Sequence, residues 1–265
     1  MEDKRREEKP SGVEPVIPPR GGEKQHGRLY RWLDNFWYHH KWAVIATVFI
    51  AVVLAVCIAQ MVTREGDGDV SVVAAGPYGF MTDEAGLTSL QQCLATYLPA
   101  DYDENGAKEV RVYSFPVFSE AEAEALANRT DENGNNLGLS VDGYANTQEY
   151  QRFSQYITTG EAAVMLLSPW LFEELSVRSG CLVDVATLVD GGVPANAIPT
   201  QKADGSIGYY GIRLCETKLW RDNSAIRDKL PADTVLCLMM PTLLGDNADE
   251  AHYNKSVEYF GILMQ

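Results

Sequence analysis

Between Trp42 and Val62 the chain reads WAVIATVFIAVVLAVCIAQMV, 21 residues without a charged side chain. Wound as a helix at about 1.5 Å per residue, this stretch matches the roughly 30 Å hydrocarbon core of a bilayer. A helix that is apolar on every face belongs in a large protein core or in lipid, so the sequence is organised around a transmembrane span at 42–62. Two competing readings fit less well. A secretory signal has an apolar stretch of about 7–15 residues after a short basic start, whereas here 41 residues come first. A lipoprotein signal ending LAVC at Cys57 would place Val56 where a small residue belongs.

Lys and Arg resist translocation, so flanking charge sets the orientation. Arg28, Arg31 and Lys41 precede the span, while REGDGD after it carries one Arg against Glu65, Asp67 and Asp69. The N-terminus is therefore expected in the cytoplasm and the C-terminal domain outside. Beyond Trp42, 13 of the 22 Lys and Arg face 30 of the 37 Asp and Glu, a net charge of −17 (13 minus 30). Such a surface disfavours nucleic acid and attracts cations or basic partners.

Residues 1–27 mix charge with Pro and Gly and offer little to bury, so they read as a disordered cytoplasmic tail. Its PVIP has PxxP spacing, which arises easily by chance in such tails. In residues 28–41, Leu29, Trp32, Leu33, Phe36, Trp37 and His40 share one helical face, an amphipathic juxtamembrane helix at headgroup level. Together with the span, residues 28–62 are also the place where a second membrane protein would dock. Residues 63–69 read as a linker.

Residues 70–265 alternate strand and helix signals. DVSVVAAG is a buried strand, Thr82 or Asp83 caps a helix that Pro99 stops, and KEVRVYSF is a second strand. Ser119 and Glu122 form a capping box, residues 128–146 a polar loop, and a helix from Thr147 to Gly160 leads to a third strand in EAAVMLLSPW. Further on, an Asp204–Gly205 turn precedes a strand, DTVLCLMMP is another, and Asn247 with Glu250 caps a terminal helix. The expected fold class is α/β, a three-layer, mainly parallel sheet of about five strands preceded by one transmembrane helix.

The catalytic inventory is thin. His252 is the only histidine beyond the span, and HExxH, GxSxG, GxxxxGK[ST] and GxGxxG are all missing, so no cofactor is expected. A Cys–His pair of His252 with Cys215 or Cys237 would make the protein a cell-envelope enzyme, but Cys237 sits in an apolar strand. Cys93, Cys181, Cys215 and Cys237 allow three disulfide pairings or four free thiols. Asn128 and Asn254 head glycosylation-type triplets.

Two acidic loops invite a metal reading. In DYDENG, Asp101, Asp103 and Asn105 followed by Gly106 repeat the start of a calcium loop, but the twelfth position, which needs a carboxylate, is Val112. In DENGNNLGLSVD, Asp131 and Asp142 fall at the ends, but Asn136 stands where Gly belongs. Asp, Asn and Gly are also what turns require, so both read as turns.

Residues 150–185, YQRFSQYITTGEAAVMLLSPWLFEELSVRSGCLVDV, resemble the helix, Gly–acidic turn, buried strand and short helix of type 2 extracellular solute-binding proteins. Gly180, Leu182, Asp184 and Val185 stand in for that family's G-x-L-x-D-L stretch. The resemblance covers most of 69–188 and implies a lobe that binds a solute, as the binding component of an ABC-type importer does. Only about 30 residues separate Leu175 from the strand at Ile207, too few for a second lobe. The resemblance therefore extends to single-pass surface proteins of Gram-positive bacteria that carry a truncated outer domain of this kind. Ligands of open α/β sheets bind at the carboxyl ends of strands, which nominates Tyr78, Phe115, Ser168 and Trp170 for a small-molecule site.

Overall fold

A computed structural model describes residues 27–62, 68–177, 181–189, 191–202 and 204–265. The expected tail lies outside the described residues except for Gly27, as does the linker except for Gly68 and Asp69. The chain divides into two compact units, Met1–Arg64 and Glu65–Gln265.

In the first unit, α1 (Arg28–Val62) runs unbroken for 35 residues. The juxtamembrane segment and the span are thus one helix, because nothing between His39 and Trp42 breaks or caps it. The stretch long and apolar enough to cross a membrane is Phe36–Ile58, 23 residues or about 34 Å. It begins before Trp42 because Phe36, Trp37 and Tyr38 extend the apolar run past Lys41. Trp32 stacks on Phe36 at 5.5 Å, and Phe36 meets His40 at 5.0 Å, so the aromatic face continues the helix i to i+4.

Among the described residues the second unit contains six strands: β1 (Val70–Ala75), β2 (Val110–Phe115), β3 (Val164–Leu167), β4 (Ala197–Gln201), β5 (Ile207–Arg213) and β6 (Val235–Leu238). They form one sheet in the order β2-β1-β3-β6-β5-β4. β1 pairs parallel with β2 and β3, whereas β3–β6, β6–β5 and β5–β4 are antiparallel. The expected five-stranded, mainly parallel sheet is corrected to a six-stranded mixed one. The additional strand is β4, where Pro199 lacks the N–H that a central strand must donate. It is tolerated here because β4 is an edge strand and its register shifts at Ile198/Pro199. The antiparallel half follows from the tight turn at Asp204–Gly205, which folds β5 back on β4, with Gly205 at φ 83°.

Both faces of the sheet are covered. On one, Val70, Val72 and Ala74 pack with Leu90 and Leu94 of α2 (Glu84–Ala95) and with Tyr259, Phe260 and Leu263 of α8 (Glu250–Leu263). On the other, Val73, Ala75, Met165 and Leu167 pack with Phe153 of α4 (Gly143–Thr159) and with Leu171, Phe172 and Leu175 of α5 (Pro169–Val177). Successive residues of β1 point to opposite faces, so its six residues are all buried. The short helices α6 (Lys218–Asp222) and α7 (Ser224–Arg227) add Leu219 and Ile226 to the first face. α3 (Glu120–Ala127) keeps the expected capping box but buries no residue.

Two caps differ from expectation. α4 starts at Gly143 rather than Thr147, because Asp142 accepts from the Tyr144 and Ala145 amides. α8 is capped by Asp249, which accepts from the Ala251 amide, while Asn247 is buried in a preceding turn. All five cysteines are free thiols.

Candidate functional site

The order β2-β1-β3 makes β1 a switch point: the chain leaves it toward β2 on one side and returns on the other through β3. Loops at the carboxyl ends there diverge and leave room for a ligand. Three of the four nominated residues close that room from within. Gly76 ends β1 at φ 152°, and a Cβ there would collide with the Tyr78 ring and press on Ser168. The bare backbone lets Tyr78 fold back over the strand end, buried, its hydroxyl facing Thr234. Burial pushes that hydroxyl's pKa far up, so it stays protonated.

Phe115 is also buried, against Phe153 at 5.7 Å and Tyr156 at 5.2 Å, with the Arg152 guanidinium 4.8 Å above its ring. Arg152 also donates to the Ser114 carbonyl at 2.9 Å. Ser168 is 1% exposed, its amide donates to the Ala75 carbonyl, and its hydroxyl finds no partner among the described residues. Trp170, half-buried, lies 5.9 Å from Tyr150, whose hydroxyl donates to Glu174. The structure brings Tyr78 and Ser168 together at Gly76 and leaves Trp170 on the surface.

The open space at this end lies one step along the sheet. A groove of about 620 Å³ runs between α5 and the strands β4, β5 and β6. Its apolar wall is Phe172, Ile198, Pro199 and Val235, and Glu173, Arg213 and Asp233 bring charge to it. Gly211 shapes the floor, since a Cβ there would meet Val235 and the Phe172 ring. Pro169, between the nominated Ser168 and Trp170, lines the groove, so the sequence reached its border but missed its far wall on β4. A second, more polar hollow of about 530 Å³ lies beside α2 and the amino end of β2.

At the amino ends of β1 and β2 the acidic loop acquires a member that local spacing could not reveal. Carboxylate oxygens of Asp69, Asp101 and Asp103 lie within 4.8 Å of one another. Asp69, 3% exposed, accepts from the Tyr102, Asp103 and Glu109 amides, the last at 2.8 Å. Asp101 accepts from the Gly106 amide at 2.7 Å, and Asp103 from the Asn105 amide and side chain. Asn105 spends its oxygen on the Ala107 amide. Desolvation raises the Asp101 carboxyl, but hydrogen bonds led by Gly106 outweigh it and hold the group below its ordinary value. Val112 lies in β2 opposite Val72, already out of the loop. In the other acidic loop, Asp131 is held low chiefly by the Asn135 amide.

Nucleophile geometry is equally plain. Cys237 is wholly buried in β6, and burial pushes its thiol up, which keeps it protonated and unreactive. No protein-family model, curated protein or solved structure matches this chain.

Proposed function

We propose that the protein is a single-pass, membrane-anchored binding module rather than an enzyme. In this reading α1 spans the bilayer with the N-terminus in the cytoplasm, and the unit Glu65–Gln265 works outside as a reduced solute-binding-like lobe. The observation that carries it is the groove beside α5: an apolar wall with a few charged groups, at the strand end where open α/β sheets hold ligands. Its chemistry fits a small amphipathic solute, the apolar part on Phe172 and Ile198 and a polar end near Glu173, Arg213 and Asp233. The parallel β2-β1-β3 half supports the solute-binding comparison, and the buried, protonated Cys237 supports the non-catalytic one.

The test is thermal unfolding of the full chain in detergent against a panel of amino acids, short peptides, sugars and acyl carboxylates. A ligand at 100 times its Kd adds about 2.7 kcal/mol, roughly 5–10 °C for a unit of this size. Thr200→Arg, which fills the groove from β4, is expected to abolish the shift. A panel without any shift, or a shift that survives Thr200→Arg, would sink the proposal. Co-purification with a permease alongside a ligand shift would point to the importer component. Hydrolysis of an envelope substrate lost in His252→Ala would make it an enzyme.

A further inference from the structure

Among the described residues of the second unit the most exposed large apolar side chain is Leu243, at 97%, followed in sequence by Leu244 at 66%. They are not on a loose segment. Thr242, before them, packs on Gly160, where a Cβ would displace it, and its hydroxyl donates to the Leu244 carbonyl at 2.6 Å. Gly245, after them, lies against the backbone of Thr159 and Gly160, and the Asn247 amide donates to the Gly160 carbonyl at 2.9 Å. The loop is clamped at both shoulders and presents two leucines to the outside.

Its place in the sheet says what the leucines meet. β6 runs antiparallel to β3, with Leu238 opposite Val164, and Val164 is opposite Val72 of β1. The loop after β6 therefore leaves the sheet at the end where β1 begins, two strand spacings or about 10 Å across. That is also the end to which the membrane helix is joined. Val62 and Val70 are eight Cα steps apart, which fully extended reach at most about 29 Å. The amino end of β1 is thus held within reach of the bilayer surface, and a contact there is intramolecular, with an effective concentration in the millimolar range.

We propose that the Leu243–Leu244 tip inserts into the interfacial layer of the bilayer that anchors the chain. Asp246, Asp249 and Glu250 follow directly, so the tip selects zwitterionic or uncharged lipid over anionic lipid. The inference rests on α1 spanning that bilayer, and the experiment separates the two. The full chain is placed in nanodiscs of zwitterionic lipid doped with a diazirine phospholipid, irradiated, and its adducts mapped by peptide mass spectrometry. The expected result is adducts within Phe36–Ile58 and within 240–246, the second set falling at least tenfold in Leu243→Ser/Leu244→Ser while the first is unchanged. Replacing half the lipid with an anionic one lowers the loop adducts. Because both leucines are exposed, the double variant keeps the thermal midpoint of the parent. Adducts in the span without adducts in the loop overturn the insertion, and mean that water, a protein partner or a second copy meets the tip. Loss of adducts in the span overturns the anchor itself.

Discussion

Replacing Asp69 with Ala tests the interior support of the acidic loop. The substitution removes one carboxylate and leaves three amides, of Tyr102, Asp103 and Glu109, without their acceptor. A hydrogen bond to a charged acceptor contributes about 1.5–3 kcal/mol. The Asp103 bond, at 3.2 Å, belongs at the bottom of that range, and residues 103–109 are largely exposed, so water replaces part of the loss. A net cost of about 3 kcal/mol remains, or roughly 6–12 °C in the midpoint of a unit this long. Asp69→Asn should cost less, because its one oxygen can still accept from the Tyr102 and Asp103 amides and only its NH2 turns a donor toward the Glu109 amide. Thermal unfolding of the full chain in detergent gives the size, and amide exchange across 101–109 gives the place. A loss below about 1 kcal/mol, or a larger loss without faster exchange in that loop, would refute the reasoning. Melts in chelator and in 1 mM calcium add a second check, since a scaffold predicts the same loss in both. A calcium-dependent rise in the parent that is missing in Asp69→Ala and Asp103→Ala would show that the carboxylates hold an ion instead.

Three further outcomes follow from the strand ends and loops. Gly76→Ala forces a Cβ into Tyr78 and Ser168 at a backbone angle that disfavours one, and should cost about 3 kcal/mol by thermal melting, whereas a neutral result would mean the strand end is not packed as described. Ser168→Ala should be neutral to within about 0.5 kcal/mol, because among the described residues its buried hydroxyl has no partner to lose, and a drop above 1 kcal/mol would reveal one. Asp131, held below its unfolded value of about 3.9, contributes stability fully present above that pH and lost as pH falls through the folded value. Amide exchange at Asn133 and Asn135 should therefore show the turn intact at pH 5 and opened near pH 2, after correction for intrinsic rates, and equal protection at both would contradict the assignment.

What the sequence made legible was local. The capping box at Ser119 and Glu122, the buried run of Val70–Ala75 and the apolar stretch inside α1 each depend on residues within one element, and each appears in the structure. What stayed hidden depends on neighbours distant along the chain. Pro199 argues against a strand everywhere except at a sheet edge, and only the final order of strands tells that β4 is one. The direction of β6 is likewise set by where β5 leaves it, not by DTVLCLMMP. The nominated ligand residues show the same limit. The rule that ligands sit at strand carboxyl ends singled out one end of the sheet as a place to look, but could not foresee that Gly76 would let Tyr78 close the β1 end.

The two ends of the sheet differ in a way that follows from one pairing. Parallel alignment of β1 with β2 places Val70 opposite Val110, so the residues just before each strand meet: Asp69 from the start of the unit and Asp101–Glu109 from the helix-to-strand turn. That meeting gives a turn of exposed acidic residues a buried anchor and fixes the amino end of β1 to its neighbours. In the proposed membrane-anchored reading, any pull from the anchor reaches the second unit first at Val70. Bonds from Asp69 to three amides distribute such a load into α2's following turn and β2 rather than leaving the first strand to carry it alone. The arrangement predicts that Asp69→Ala loosens the junction before the core, with exchange at 69–72 and 101–109 rising while the α8 amides around Tyr259 keep their protection. Uniform loosening of α8 along with the junction would mean that the unit opens as a single block and that Asp69 supports the whole core.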